Sequence, residues 1–511
     1  MPLPEALAAG PSAGGGWLVA AIAWPVVALL LVIAGGERLA ARTGVLALPV
    51  GIAIAIAVAL DVANAGAGGL TYHVGGWAPP LGIALRADGL AAAMLLVTAV
   101  VATGAGVHAL ADFGPPRAGS PGRASLAFWA SLLGAWAALN LAFLGNDLFN
   151  LYVALELLTF AAVPLVCLDG SAATLQSALR YLLYALVGSV LYLLGAVLLY
   201  GAYGTLDMGL LATAVRPEPA AWAAAALMTA GLLAKTALFP LHLWLPPAHA
   251  GAPPAASAVL SALVVKGSFF IVLRLWFEAL PGLANAAAMQ LLGLLGAGAI
   301  LYGSALALRQ SRLKLLVAYS TVAQIGYLFL VFPLAFDAST GRLAAGTALA
   351  GGLLQAVSHA LAKAAMFMSA GLIAVTLGHD RIAGLGGLAR ARPATLLSFA
   401  LAGVSLVGLP PSGGFAAKWL LLSAAVATGQ WWWAVVIVLG GLLTGAYLVL
   451  VLMHALSERD ASAAAPRPVA SWRDAAPLVL ALLAVFMGLA GLAPFEVGQE
   501  AVAAQAHGAM Q

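Results

Sequence analysis

Residues 231–266 read GLLAKTALFPLHLWLPPAHAGAPPAASAVLSALVVK, and this stretch decides the fold. Lys235 and Lys266 lie in apolar runs long enough to enter a bilayer, yet between them stand Pro240, Pro246, Pro247, Pro253 and Pro254. Proline cannot continue helical hydrogen bonding, so the helix carrying Lys235 should break near 235–247. Broken helices at membrane depth are tolerated only where they are buried in protein or line a wet cavity. The chain then re-enters at Ser257 and carries Lys266 nine residues inward, near mid-depth. His242 and His249, at the break, read as loop or interface histidines.

The rest of the chain has the composition of a polytopic membrane protein. Of 511 residues, 63% are hydrophobic and only 8% charged, with a mean hydropathy of +1.04; that is too little charge to cover a soluble globule. Windows of about 19 residues give about fourteen apolar spans: 17–35, 44–64, 87–110, 126–145, 147–167, 180–204, 219–240, 257–280, 286–308, 311–333, 344–377, 394–425, 431–454 and 474–493. The expected fold is an all-α bundle, with 344–377 tilted or bent and 394–425 interrupted. Most arginines, Arg38, Arg117, Arg309 and Arg390 among them, fall in loops after odd-numbered spans, whereas loops after even-numbered spans hold only Arg86, Arg216 and Arg342. The odd loops are thus expected to be cytoplasmic, with both termini opposite. No basic region precedes the first span, which reads as a retained helix rather than a cleaved signal. The single cysteine, Cys167, excludes an intrachain disulfide and a cysteine-ligated cluster.

Soluble elements are few. Segment 66–86, with short strand character at TYHV and GIAL, is expected to form a small external hairpin. Segments 112–124 and 458–473 read as flexible loops. No P-loop and no GxGxxG before a strand occurs, and neither a nucleic-acid surface, a metal site nor a cofactor is expected.

Chemistry must therefore sit in the membrane. All five lysines, Lys235, Lys266, Lys314, Lys363 and Lys418, lie within or beside apolar spans. A lysine near the bilayer centre costs roughly 2.5–3.5 kcal/mol on insertion scales, so such a set points to an ion or proton path. The carboxylate is Glu156, nine residues after Asp147 and so about 14 Å deep at 1.5 Å per residue. A lone buried carboxylate is held neutral, and an adjacent lysine favours its charged form, which makes such a pair switchable. The competing reading, a static ion pair, is a poor source of stability in lipid.

The second half repeats the arrangement. His359 and Lys363, four residues apart, share a helix face. Pro410, Pro411, Gly413 and Gly414 interrupt the span before Lys418. A Pro/Gly-broken helix with a lysine in each half suggests an inverted repeat of five helices. The chain is accordingly expected to divide into helices 1–3 with the hairpin (1–125), a first repeat of helices 4–8 (126–280), a second of helices 9–13 (286–454), and a loop with helix 14 (455–511). Lys314, following Arg309 and Arg312, reads as snorkelling to the interface, while Ser320, Thr321 and Gln324 in the same span can line water. Asp61 and Asp88 read as interfacial, and Trp431–Trp433 as an interfacial belt.

The runs AKTALFPLHLWLPPAHAGAPPAASAVLSALVVK, SRLKLLVAYSTVAQIGY, SHALAKAAMF and GLPPSGGFAAK resemble the antiporter-like subunits shared by respiratory complex I, energy-converting hydrogenases and Mrp-type cation/proton antiporters. The likeness covers roughly residues 85–455. VGGWAPPLGIALRADGLAAAMLLVTAVV and FLGNDLFNLYVALELL look most like the D-type subunit of Mrp antiporters, although Leu155-Glu156 stands where Phe-Glu is common and TFAAVPLVCLDG is closer to hydrogenase relatives. The resemblance implies that Glu156 and Lys235 form the coupled pair, Lys266 connects, His359 and Lys363 bridge the halves, and Lys418 is the terminal proton donor or acceptor. It implies no redox cofactor in the subunit itself, other membrane subunits as partners, protons and sodium as the transported ions, and a bacterial plasma membrane. The alternatives it leaves are a proton-pumping subunit of a redox-driven complex and the membrane subunit of an inorganic-carbon accumulation complex. The chain ends soon after its last span, which argues against the long lateral helix of a distal complex I subunit.

Overall fold

The computed structural model describes residues 15–115, 122–458 and 465–489. Helix α1 (Gly15–Ala65) bends at Gly36, whose φ of 60° lies in the left-handed region that glycine adopts without steric cost. Trp24 Nε1 donates to Ala47 O at 3.0 Å across the bend. In a straight helix those residues would be about 34 Å apart, so α1 folds back as two spans, matching 17–35 and 44–64. A Cβ at Gly44 or Gly51 would lie 2.1 Å from Trp129 or Trp136; glycine there lets the returning limb pack closely on the helix Gly122–Leu144 that carries both tryptophans.

Strand β1 (Leu70–His73) pairs antiparallel with β2 (Ala84–Ala87), Leu70 opposite Ala87. The hairpin is the expected one, displaced by a residue or two. Next come α2 (Gly89–Phe113), α3 (Gly122–Leu144), α4 (Leu148–Val166), α5 (Ala172–Tyr203), the short α6 (Met208–Ala214), α7 (Pro219–Thr236) and α8 (Leu245–Gly251). One span follows, Pro254–Ala279, in which α9 (Pro254–Val259) and α10 (Val265–Arg274) are joined by a π-helical turn at Leu260–Val264, with a second at Leu275–Ala279. Then come α11 (Ala286–Leu308), α12 (Leu313–Phe329), α13 (Val331–Ala335), a minimal hairpin β3 (Phe336–Asp337) and β4 (Arg342–Leu343), α14 (Thr347–Leu377), α15 (Leu388–Ala391), α16 (Pro393–Val407), α17 (Gly413–Ala427), α18 (Trp431–Leu456) and α19 (Ala475–Phe486). The end of the last expected span, 490–493, lies outside the described residues.

Among the described residues ten helices are long and apolar enough to cross a membrane. Burial ranks them: the apolar window of the 254–279 span is wholly enclosed, whereas that of α1 is 28% buried. The lysine-bearing span is thus central, and α1 forms part of the flank. Within the stretch 344–377 the helix runs unbroken from Thr347 to Leu377.

Both expected breaks occur. Helix α7 stops at Thr236 and leaves through Ala237, a non-glycine residue at φ 58°. Helix α16 stops at Val407 with Gly408 at φ 87°, and α17 restarts where Ser412 Oγ accepts from Phe415 N at 3.2 Å. Each end leaves carbonyls without helical partners. Lys235 precedes its break and Lys418 follows its own.

Asp88 lies at a helix end, as expected, and its side chain is buried in protein at 4% exposure. Its carboxylate accepts from Ala91 N, capping α2, and takes both terminal nitrogens of Arg274 at 2.6 and 2.7 Å. Arg274 also pairs with Glu278, which Arg86 of β2 reaches at 3.1 Å. This network ties the hairpin and α2 to the outer end of the 254–279 span. Breaking one member leaves a buried charge unmatched, so Asp88→Ala is expected to destabilise the fold by about 3–5 kcal/mol, and Asp88→Leu with Arg274→Met by clearly less. Denaturant unfolding of the purified protein in detergent checks this; equal losses in both variants would contradict it.

Candidate proton path

Asp147 caps α4 by accepting from Phe149 N and Asn150 N, which fixes the helix start and sets Glu156 in its interior. On α7 the last turn presents Lys235, 6% exposed. Its Nζ lies 2.9 Å from Thr159 Oγ1, 3.3 Å from Leu155 O and 3.4 Å from Glu156 Oε1. Ser189 of α5 donates to the same carboxylate oxygen. The pair expected from sequence is formed.

Beside it, Thr236 Oγ1 donates to Ser268 Oγ at 2.9 Å, linking α7 to the helix of Lys266. Lys266 is fully enclosed, and its Nζ donates to Ser261 O within the π turn. Such a turn displaces carbonyls from the regular ladder, and here the ammonium takes one. Ser261 and Thr321 share a hydrogen bond of 2.9 Å, reaching α12.

Lys363 on α14 is also fully enclosed. It donates to Ser320 Oγ at 2.6 Å and to Val317 O at 3.0 Å, and Tyr447 OH of α18 donates to Ser320 at 2.8 Å. His359, one turn earlier on α14, is 1% exposed, and neither ring nitrogen has a hydrogen-bond partner among the described residues.

Lys418 closes the row at the second break. Its Nζ donates to Leu406 O at 2.6 Å and Val407 O at 3.0 Å, the free carbonyls at the end of α16, and lies 4.4 Å from the Tyr327 ring centroid. The negative end of the half-helix dipole favours a cation there. Gln324 Nε2 donates to the same Leu406 carbonyl at 3.2 Å, and Gln355 Nε2 donates to Gln324 Oε1 at 3.0 Å. Because Gln355 is on α14, this amide pair ties the Lys418 end to the helix of His359.

Two readings need correction. Lys314 does not snorkel outward: it folds inward to donate to Ala252 O at 2.6 Å and Ala250 O at 3.4 Å, where the end of α8 leaves carbonyls free. Those acceptors outcompete the interface because the break brings them within reach of the start of α12. His242 lies in the turn between α7 and α8, as the loop reading has it, whereas His249 lies inside α8; both are buried, at 2% and 1% exposure, His242 packing on Phe239 and Tyr302 and His249 stacking on Phe367 at 4.6 Å. Thr159, Ser189, Thr236, Ser268, Gln355 and Tyr447 were not singled out in the sequence. A signal existed for Thr159, three residues after Glu156 and hence on its face; single hydroxyls elsewhere in apolar spans carry none.

Along the row the ammonium groups meet carbonyls and hydroxyls, and one of them meets a carboxylate. In a low-dielectric interior a charge at one site acts strongly on a charge nearby.

Residues 145–444 match the family described as NADH:quinone oxidoreductase/Mrp antiporter, transmembrane. The chain is 36% identical over 406 residues to the N subunit of the NADH-quinone oxidoreductase of Desulforudis audaxviator (strain MP104C), covering 78% of each chain. It is 28% identical over 388 residues to the D-type subunit of the Na(+)/H(+) antiporter of Bacillus subtilis (strain 168), covering 75% of this chain and 76% of that one. A chain of the Mrp complex from Dietzia sp. DQ12-45-1b superposes with a TM-score of 0.85 at 25% identity, over 96% of this chain and 97% of that one.

Proposed function

Because the chain belongs to the NADH:quinone oxidoreductase/Mrp antiporter transmembrane family, we propose that its buried row of charges moves protons as one subunit of a multisubunit sodium/proton antiporter. It is a multi-pass, antiporter-like membrane subunit of the Mrp or complex I type, and proteins like it work beside other membrane subunits. The observation that carries the proposal is the Glu156–Lys235 pair, buried at 3.4 Å and continued by hydrogen-bonded groups toward Lys266, Lys363 and Lys418. Glu156 and Lys235 act as the coupled pair, Lys266 as the connecting site, His359 and Lys363 as the bridge, and Lys418 as the terminal donor or acceptor. The two broken helices are read as counterparts in inverted repeats, 126–280 and 286–454. The membrane is read as a bacterial plasma membrane.

Structural agreement with an Mrp chain over nearly the full length supports the antiporter reading. The second reading, a proton-pumping subunit of a redox-driven complex, is favoured by the 36% identity to the N subunit of an NADH-quinone oxidoreductase. Purification of the intact complex through this chain separates the two. Copurifying membrane subunits with sodium-dependent proton transport in vesicles are expected; copurifying flavin or iron–sulfur subunits would establish the redox reading instead.

A further inference from the structure

The surroundings of Lys235 are unlike those of the other lysines. Among the described residues Lys266, Lys363 and Lys418 meet carbonyls, hydroxyls and, at Lys418, the Tyr327 ring, but no carboxylate. Around Lys235 a carboxylate oxygen, a main-chain carbonyl and a threonine hydroxyl converge, at 3.4, 3.3 and 2.9 Å from Nζ. Ser189 Oγ adds a second hydroxyl through its contact with Glu156 Oε1. Carboxylate, carbonyl and hydroxyl oxygens are the donors that hard cations take. An ammonium has three N–H bonds, and here it has three oxygen acceptors. The lysine is in effect a tethered cation occupying an oxygen cage.

We infer that the cage formed by Glu156 Oε1, Leu155 O, Thr159 Oγ1 and Ser189 Oγ is a binding site for a monovalent alkali cation, with the ion and the Lys235 ammonium as its alternative occupants. One carboxylate balances one positive charge, which favours a monovalent ion. No cluster of three His, Cys, Asp or Glu side chains that could hold a higher charge occurs among the described residues. Two cations sharing one carboxylate at these separations repel strongly in a low-dielectric setting, so the occupants exclude one another.

Position sets this cage apart from the other lysines. The Glu156 side chain is 16% exposed, and its neighbours Leu157 and Phe160 stand on the flank of the bundle at 49% and 64%. The cage thus lies nearer the flank than Lys266 and Lys363, which are fully enclosed. Lys235 belongs to the last turn of α7, directly before the left-handed Ala237, and its four-carbon stem is flexible. Alternative occupancy would make this pair the place where cation movement meets proton movement, so the inference deepens the antiporter reading and rests on it.

Equilibrium binding of radiolabelled sodium and rubidium to the intact complex in lipid nanodiscs, at one fixed pH, tests the site. Glu156→Gln should abolish binding. Thr159→Val should weaken it by about tenfold, in line with losses on removing groups that tune a metal site, and Thr159→Ser should restore it. Lys235→Met, which removes the tethered competitor while keeping volume, should bind at least as tightly as the wild type. Unchanged binding in both Glu156→Gln and Thr159→Val, or lost binding in a well-assembled Lys235→Met complex, would overturn the inference. Proton flux through the same preparations keeps the two ideas apart. Flux lost in Glu156→Gln with sodium binding unchanged removes the cation site and leaves the proton path standing. Binding lost with flux intact removes the proton path.

Discussion

Glu156→Gln and Lys235→Ala are each expected to abolish cation-linked proton transport while the complex still assembles. Glutamine keeps the shape of Glu156 and can still meet Ser189 Oγ and the Lys235 ammonium, so packing between α4, α5 and α7 survives. It removes the charge on which the pair depends. Transport is expected to fall by roughly two orders of magnitude or more, the scale typical of losing a positioned proton-transfer group. Lys235→Arg recovers only in part, because a guanidinium stays protonated and cannot pass its proton on. Vesicle assays of sodium-driven proton movement, normalised to the amount of assembled complex, decide the matter. Normal transport by either neutral variant at normal complex levels would count against the pair.

Lys363→Ala has a comparable effect for a different reason. Lys363 joins α14 to α12 through Val317 O and Ser320 Oγ, and Tyr447 is fastened to that same hydroxyl. Alanine removes the ammonium that links α12 to α14 at the crossing between the two halves, so flux should again drop by roughly two orders of magnitude. His359→Ala should follow it, since both ring nitrogens lack partners among the described residues and removing them breaks no hydrogen bond. Lys314→Ala should lose less: it sits on the carbonyls of Ala250 and Ala252, to one side of the row. Equal losses at Lys314 and Lys363 would place Lys314 in the path, and normal flux in His359→Ala would leave that histidine as packing.

The parts of this molecule legible from sequence were those that break a strong rule. Lysines in apolar runs violate the insertion cost of charge, and prolines in spans violate helical hydrogen bonding; both signals located real features, at Lys235, Lys266, Lys363 and Lys418 and at the ends of α7 and α16. Less legible were features created by tertiary approach. Arg274 lies inside a span, four residues before Glu278, but its bidentate partner Asp88, a helix-end residue, is far away in sequence. Lys314 followed two arginines, as a snorkelling lysine would, and the pull of the α8 carbonyls could be seen only once the break was folded. The hydroxyls that fill the row, Thr236 and Ser268 above all, are ordinary residues in apolar helices until their partners come into contact. The π turns flanking α10 left no mark in the sequence.

Lys266 offers the most direct test of a continuous path. It is fully enclosed, has no ion-pair partner among the described residues, and donates to a carbonyl of its own helix. Replacing it with leucine removes a buried charge from an apolar setting, so the fold should be no less stable. Proton flux through the purified complex in sealed proteoliposomes is the measurement. The account predicts that Lys266→Leu assembles normally and carries flux indistinguishable from protein-free liposomes; wild-type flux through that variant would contradict the path itself.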